Sequence, residues 1–127
     1  MTADVVTTAD VTAARTHVRD TINEARPAAA TTDDVHALLL TVEELTSNAV
    51  RHGRLPVRLT VSETADGWLV DVADAAAERP PFPAADRDPA LGGLGLHLVA
   101  RLSAAHGWSV DRGRKHVWAC IRPVPAV

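Results

Sequence analysis

The sequence has little of several residue types that would point to particular classes of protein. It has one cysteine, Cys120, which excludes an intrachain disulfide, and Cys120 and six scattered histidines form no metal-binding cluster. Arginine outnumbers lysine twelve to one without forming a basic stripe, and the net charge is −3, so non-specific nucleic-acid binding is disfavoured. No apolar run is long enough to span a membrane, and the N-terminus has no basic-then-apolar signal peptide. We therefore expect a soluble, cytoplasmic protein in which Cys120 is a buried, reduced thiol.

Common nucleotide-binding and catalytic motifs are also missing. The stretch Gly92-Gly93-Leu94-Gly95-Leu96 follows a proline-rich loop and does not fit the spacing G-x-G-x-x-G. The pattern G-x-x-x-x-G-K-S/T does not occur, and there is no serine elbow, Cys–His pair or zinc signature. Rossmann and P-loop proteins are thereby excluded. Glycines at a helix N-terminus nevertheless let backbone amides approach an anion closely.

The pattern of apolar residues predicts one α+β domain over residues 1–127. Apolar residues make up 46% of the chain, enough for a globular core. We predict a two-layer sandwich in which a mostly antiparallel sheet of four to five strands is covered on one face by three helices. The predicted helices span 8–26, 33–52 and 92–106, and the predicted strands span 57–62, 68–74, 108–112 and 116–121. We expect frayed ends at 1–7 and 123–127, with an edge strand at Val5 and Val6 as the alternative, and a lid-like loop at 75–91.

The polar face of the middle helix is the most informative feature. At 100° per residue the apolar side chains fill one arc, and Glu44, Asn48, Arg51 and His52 lie together on the opposite side. Such residues are most often simply solvated. Asn48, however, is a poor residue for a helix interior, and metal coordination or a hydrogen bond to a ligand would explain it. Side chains four residues apart on a helix are neighbours, so this face can form one small site.

The ends of the middle helix and of the second strand carry further predictions. Thr31 or Thr32 can cap the start of the helix, and Gly53 can end it in the left-handed conformation. Asp66-Gly67 predicts a hairpin turn. In the strand after that turn, Asp74 continues the alternation on the face that meets the helices, so a carboxylate is expected at the rim of the core.

Three segments in order resemble the motifs of a known superfamily. The run from Glu44 to His52, then Asp74, then Gly92–Leu96 resemble the N, G1 and G2 boxes of the GHKL (gyrase, Hsp90, histidine kinase, MutL) ATPases. The sequence is most similar there to small stand-alone anti-sigma-factor serine/threonine kinases, over nearly the whole chain as far as Lys115–Ala119. The resemblance implies a Bergerat-type fold that binds ATP and Mg²⁺. It also implies phosphoryl transfer to an anti-anti-sigma-type protein, with a sigma factor as a further partner, and a homodimer formed through the sheet or the first helix.

The same resemblance implies roles for individual residues. Asn48 would coordinate Mg²⁺ through its side-chain oxygen, and Glu44 would orient or deprotonate the attacking hydroxyl. Asp74 would accept a hydrogen bond from the adenine amino group. The other implied contacts are Ala49 and Leu96 with the base, the amides of Gly93, Leu94 and Gly95 with phosphates, and Arg51 and His52 in support of the pocket.

The sequence also departs from the family pattern. Ala75-Ala76-Ala77 stand where the G1 box usually has glycines, and His116 aligns with the threonine often found beside the adenine-binding Asp. We therefore expect His116 at the adenine pocket. With no dimerisation helix that carries a phosphoacceptor histidine, we do not expect a complete sensor histidine kinase. The alternatives to a kinase are a non-catalytic nucleotide-binding or partner-sequestering module and, third, a metabolic enzyme without nucleotide.

Overall fold

The computed structural model describes residues 1–24, 31–78 and 94–122. Five strands and three helices occur in this part of the chain. In chain order they are β1 (Thr2–Val5), α1 (Thr8–Glu24), α2 (Thr32–His52), β2 (Val57–Thr64), β3 (Gly67–Asp74), α3 (Leu94–Leu102), β4 (Ala105–Asp111) and β5 (Arg114–Ile121). None of these helices is long and apolar enough to cross a membrane. The predicted end of α1 at Arg26, most of the predicted lid and the C-terminal tail lie outside the described residues.

The strands form a single sheet in the order β1-β2-β3-β5-β4, and every neighbouring pair is antiparallel. The helix α2 packs against β2, β3 and β5, and it also contacts both α1 and α3. Alternate residues of the central strands face these helices and are buried, with Trp68, Val70 and Val72 as the clearest case. The predicted α+β sandwich is confirmed.

Helix α2 lies at the centre of the core. Its side chains Leu38 and Val42 are completely buried. At its start Thr31 Oγ1 accepts a hydrogen bond from the Asp34 amide at 3.2 Å, and Asp34 Oδ2 accepts one from the Thr31 amide at 2.7 Å. This reciprocal pair is a capping box, and it confirms Thr31 as the cap.

The C-terminal end of α2 differs from the prediction. Gly53 has φ −88° and ψ −161°, so the expected left-handed conformation is wrong. Its amide still donates to the Ala49 carbonyl at 2.9 Å, and the extended backbone after it passes beside the end of β3. There the Ala75 amide donates to the Arg54 carbonyl at 2.8 Å. The exit from α2 is therefore joined to the residues that follow Asp74.

The N-terminal residues are ordered by pairing rather than frayed. Strand β1 lies antiparallel to β2, the Met1 ammonium donates to Val61 O at 3.0 Å, and Val61 N donates to Met1 O at 2.9 Å. The expectation of a frayed segment over 1–7 is thus wrong, and the alternative of an edge strand applies, with the strand at Thr2–Val5 and not at Val6. The amides of Val6 and Thr7 both donate to the Asp10 carboxylate at the start of α1, and these hydrogen bonds lower the pKa of Asp10 below its ordinary value.

Helix α3 ends earlier than predicted, and β4 begins earlier. The last helical hydrogen bond runs from the Ser103 amide to the Val99 carbonyl, and the chain enters β4 at Ala105. Gly107, which directly follows the predicted helix end at residue 106, lies within β4. A Cβ at Gly107 would approach Trp118 Cζ2 to 2.9 Å, so the glycine makes room for the indole of the neighbouring strand.

Candidate functional site

Asp74 is a fully buried carboxylate at the end of β3. It faces the helices, as the alternation of β3 predicts. The Ala76 amide donates to Asp74 Oδ1 at 2.7 Å, and Lys115 Nζ of β5 lies 3.4 Å from Oδ2. Within the described part of the chain, Oδ2 accepts no hydrogen bond. One oxygen of Asp74 is therefore fixed by the backbone, and the other retains capacity to accept from a ligand.

Gly53 brings the end of α2 into contact with Asp74. A Cβ placed on Gly53 would lie 2.6 Å from Asp74 Oδ2 and 2.6 Å from the Ala49 carbonyl oxygen. Carbon atoms do not approach oxygen so closely without displacement, so this contact requires glycine. From the sequence we predict only that Gly53 ends the helix; its place beside Asp74 is seen only in the structure.

Asn48 is buried, which rules out the solvated-face interpretation for this residue. Its side chain is 7% exposed, and Oδ1 has no hydrogen-bond partner among the residues described. The buried hydroxyls on the same helix differ, because Thr41 donates to Ala37 O at 2.8 Å and Thr46 donates to Val42 O at 2.6 Å. A buried amide oxygen without a partner costs about 1–3 kcal/mol. A ligand or ion at Asn48 Oδ1 would remove that cost.

Glu44 lies one helical turn before Asn48 and remains partly exposed. Its burial raises the pKa of its carboxyl above the ordinary value, the charge of Glu43 raises it further, and the charge of Arg51 opposes both. A carboxylate with a raised pKa is a better proton acceptor at neutral pH than an ordinary one. One face of α2 thus carries a carboxyl group with a raised pKa and an amide oxygen without a hydrogen-bond partner among the residues described.

The remaining predicted residues on α2 lie near its C-terminal end. Ala49 is buried, and its carbonyl contacts the Gly53 position beside Asp74. Arg51 is exposed, with Nε donating to Ser47 O at 3.5 Å, and His52 is half-buried. The structure therefore brings Ala49 next to Asp74. It places Arg51 where its charge acts on Glu44.

The predicted residues of the glycine-rich segment belong to α3 or precede it. Leu94 and Gly95 form the first residues of α3, and Gly93 lies outside the described residues. Leu96 is half-buried and, with Leu45 of α2 and Val117 of β5, lines a cavity of about 420 Å³. Leu96 therefore reaches the space between α2, α3 and the sheet.

The structure does not place His116 beside Asp74. In the register of β3 with β5, Asp74 is opposite Lys115, and Ala73 is opposite His116. His116 consequently lies on the other face of the sheet, where Nδ1 is 3.0 Å from Asp71 Oδ2. Lys115 occupies the inward position instead. The signal was present in the sequence, because Val117, Ala119 and Ile121 continue the inward alternation that begins at Lys115.

Comparison with known families identifies the fold. Residues 7–121 match the histidine kinase-like ATPase domain, which is nearly the whole chain. The chain belongs to this family, within the GHKL-like superfamily, and this membership supports an ATP-binding regulatory function. No curated protein matches the sequence.

From the described residues alone, a divalent cation at this site would need ligands besides the protein, such as bound phosphates. Within residues 1–24, 31–78 and 94–122, no cluster of three His, Cys, Asp or Glu side chains is suited to hold a metal ion. Mg²⁺ is commonly bound by one or two protein oxygens together with substrate phosphates and water. The unpartnered Oδ1 of Asn48 is an oxygen donor of the required kind.

Proposed function

We propose that this protein is an ATP-dependent serine/threonine kinase that phosphorylates a small anti-anti-sigma-type protein and also binds a sigma factor. The observation that carries the proposal is the pairing of Glu44 with Asn48 on α2. One has a pKa raised by burial, and the other has a buried oxygen without a partner. A solvated helix face has no need of either property.

In the proposed mechanism, Asp74 Oδ2 would accept a hydrogen bond from the adenine amino group. Asn48 Oδ1 would hold Mg²⁺, which would neutralise phosphate charge. Glu44 accepts the proton of the attacking Ser or Thr hydroxyl as the new oxygen–phosphorus bond forms. The bond from the γ-phosphorus to the β,γ-bridging oxygen breaks, and ADP leaves. Positioning and charge stabilisation supply most of the acceleration in such reactions.

A second candidate is a module of the same fold that sequesters a partner without phosphoryl transfer. It is favoured by the surroundings of Asp74, whose two oxygens already lie near protein donors, the Ala76 amide and the Lys115 ammonium. The alanines at positions 75–77 also replace the glycines usual in this part of the family. In this case the protein binds nucleotide weakly and acts through its surface.

Two measurements on the full chain separate these candidates. Isothermal titration with Mg-ATP measures binding, and transfer of label from γ-labelled ATP to a purified anti-anti-sigma-type protein measures catalysis. Glu44→Gln should abolish transfer while retaining ATP binding, because the amide keeps the shape of the carboxylate but does not accept the proton. Asn48→Ala should weaken binding of Mg-ATP more than binding of ATP in the presence of a chelator.

Glu43→Gln provides the matched control. Glu43 precedes Glu44 but is exposed, and its carboxylate lies 3.5 Å from Arg15 Nε on α1. Because the charge of Glu43 contributes to the raised pKa of Glu44, its substitution should move the rise of transfer to lower pH but leave transfer above that rise nearly unchanged. Equal transfer by the wild type and Glu44→Gln would refute the role of Glu44. ATP binding without transfer to any tested partner would favour the sequestering module.

A further inference from the structure

Lys115 is the only lysine in the sequence, and it is almost completely buried. Its side chain is 2% exposed, and its ammonium lies 3.4 Å from Asp74 Oδ2. Buried lysines are rare and require a counter-charge, which Asp74 supplies. An ammonium has three donors, and a single carboxylate oxygen at this distance does not use them all. The pair thus presents a donor and an acceptor side by side.

We propose that Lys115 is a base-reading residue that donates to adenine N1 while Asp74 Oδ2 accepts from the adenine amino group. The inference rests on the proposed binding of ATP at Asp74. On adenine the amino donor and the N1 acceptor are adjacent on one edge of the ring. Asp74 and Lys115 present the complementary acceptor and donor, held together because their strands pair at this position. Lys115, which lies beside Asp74 where His116 was expected, thereby helps to select adenine.

The pair gives stronger discrimination against guanine than Asp74 alone. On the corresponding edge guanine carries an oxygen acceptor at O6 and a donor at N1, the reverse of adenine. In the same orientation its O6 would face the Asp74 carboxylate, and its N1–H would face the Lys115 ammonium. Both contacts are then unfavourable, because each places like partners together and leaves buried groups unsatisfied.

The test uses an analogue that changes the ligand and not the protein. In 1-deaza-ATP a C–H group replaces N1, so the acceptor for Lys115 is lost and the amino group is kept. Titration of the wild-type chain should give a Kd roughly 10- to 100-fold weaker for 1-deaza-ATP than for ATP, the range for one hydrogen bond to a charged group. This comparison does not depend on whether any variant folds.

Lys115→Met completes a cycle between protein and ligand. The variant should bind ATP about as weakly as the wild type binds 1-deaza-ATP, and it should no longer distinguish the two nucleotides. Circular dichroism checks that it is folded. Equal binding of ATP and 1-deaza-ATP by the wild type would overturn this inference alone, as would tighter ATP binding by Lys115→Met, which would show that the lysine blocks the pocket. Failure of the wild type to bind any nucleotide would overturn the proposed function, and this inference with it.

Discussion

Substitution of Gly53 by alanine should damage nucleotide binding far more than it damages the fold. The φ of −88° at Gly53 is accessible to alanine, so the change introduces no backbone strain. Its cost is steric, because the new methyl would lie 2.6 Å from both Ala49 O and Asp74 Oδ2. Overpacking of this kind costs about 1–3 kcal/mol. A domain with an unfolding free energy of about 5–15 kcal/mol remains folded after such a loss.

ATP affinity should be more sensitive to this substitution than stability is, because it depends on the position of the Asp74 carboxylate. Since the Ala49 carbonyl is fixed within α2, relief of the two clashes must shift residue 53 away from that carbonyl and must also move the Asp74 carboxylate or the end of β3. Loss of one hydrogen bond between the base and a charged group would weaken ATP binding roughly 10- to 100-fold. Urea unfolding measures the change in stability, and isothermal titration with Mg-ATP measures the change in Kd.

Gly113→Ala is the matched control. Gly113 lies in the turn between β4 and β5 with φ +75°, and an added Cβ would meet no atom within 4 Å. Its substitution costs about 1–2 kcal/mol through left-handed backbone strain, without a clash at the site. The two variants should therefore lose similar stability, and only Gly53→Ala should lose ATP affinity. Unchanged stability and unchanged ATP affinity in Gly53→Ala would refute the argument.

Three further changes have defined outcomes. Because burial raises the pKa of Glu44, the phosphoryl-transfer rate should rise with pH through that raised pKa, and Glu44→Gln should remove this dependence from the residual rate. The folded state holds the Glu44 proton more tightly than the unfolded state, so at pH 7 Glu44→Gln should raise Tm, and the gain should vanish below the ordinary glutamate pKa. His116→Thr should leave the Kd for ATP unchanged, since His116 lies on the outer face of the sheet. Thr31→Ala should cost about 1 kcal/mol in urea unfolding through loss of the capping box.

Each of these expectations has a result that contradicts it. A pH–rate profile identical in wild type and Glu44→Gln would show that another group titrates. A lower Tm for Glu44→Gln at pH 7 would mean that the ionised carboxylate stabilises the fold. A weaker Kd in His116→Thr would place that side chain back at the nucleotide, and unchanged stability in Thr31→Ala would show that the cap contributes nothing measurable.

Much of the fold followed from periodicity, because strong amphipathic patterns have few alternatives. Helix α2 and the β2–β3 hairpin were predictable from their apolar spacing and from Asp66-Gly67. Strand β1 was predicted only as an alternative, at Val5 and Val6, since it has four residues and buries only Val5. The end of α3 was misplaced because a glycine such as Gly107 is typical of a helix end. In the structure Gly107 is in β4, where the absence of a side chain makes room for Trp118.

The candidate site was predictable where one element carries it and not where two elements meet. The spacing of Glu44 and Asn48 on α2 is fixed by the helix itself. Alternation along β5 indicates that Lys115 faces inward, but its place opposite Asp74 depends on the register between β3 and β5, and alignment by motif selected His116 instead. The contact of Gly53 with Asp74 likewise joins segments that are distant in sequence.

Because the side chain of the sole lysine, Lys115, is buried, its chemical reactivity measures local opening of the structure around it. An amine-acylating reagent should modify Lys115 only when the ends of β3 and β5 separate locally from the helices, at a rate set by the free energy of that opening. The Met1 amine provides an internal reference, and peptide mass spectrometry resolves the two products. A nucleotide seated on Asp74 should slow acylation at Lys115 selectively, so one covalent label would record occupancy of the pocket.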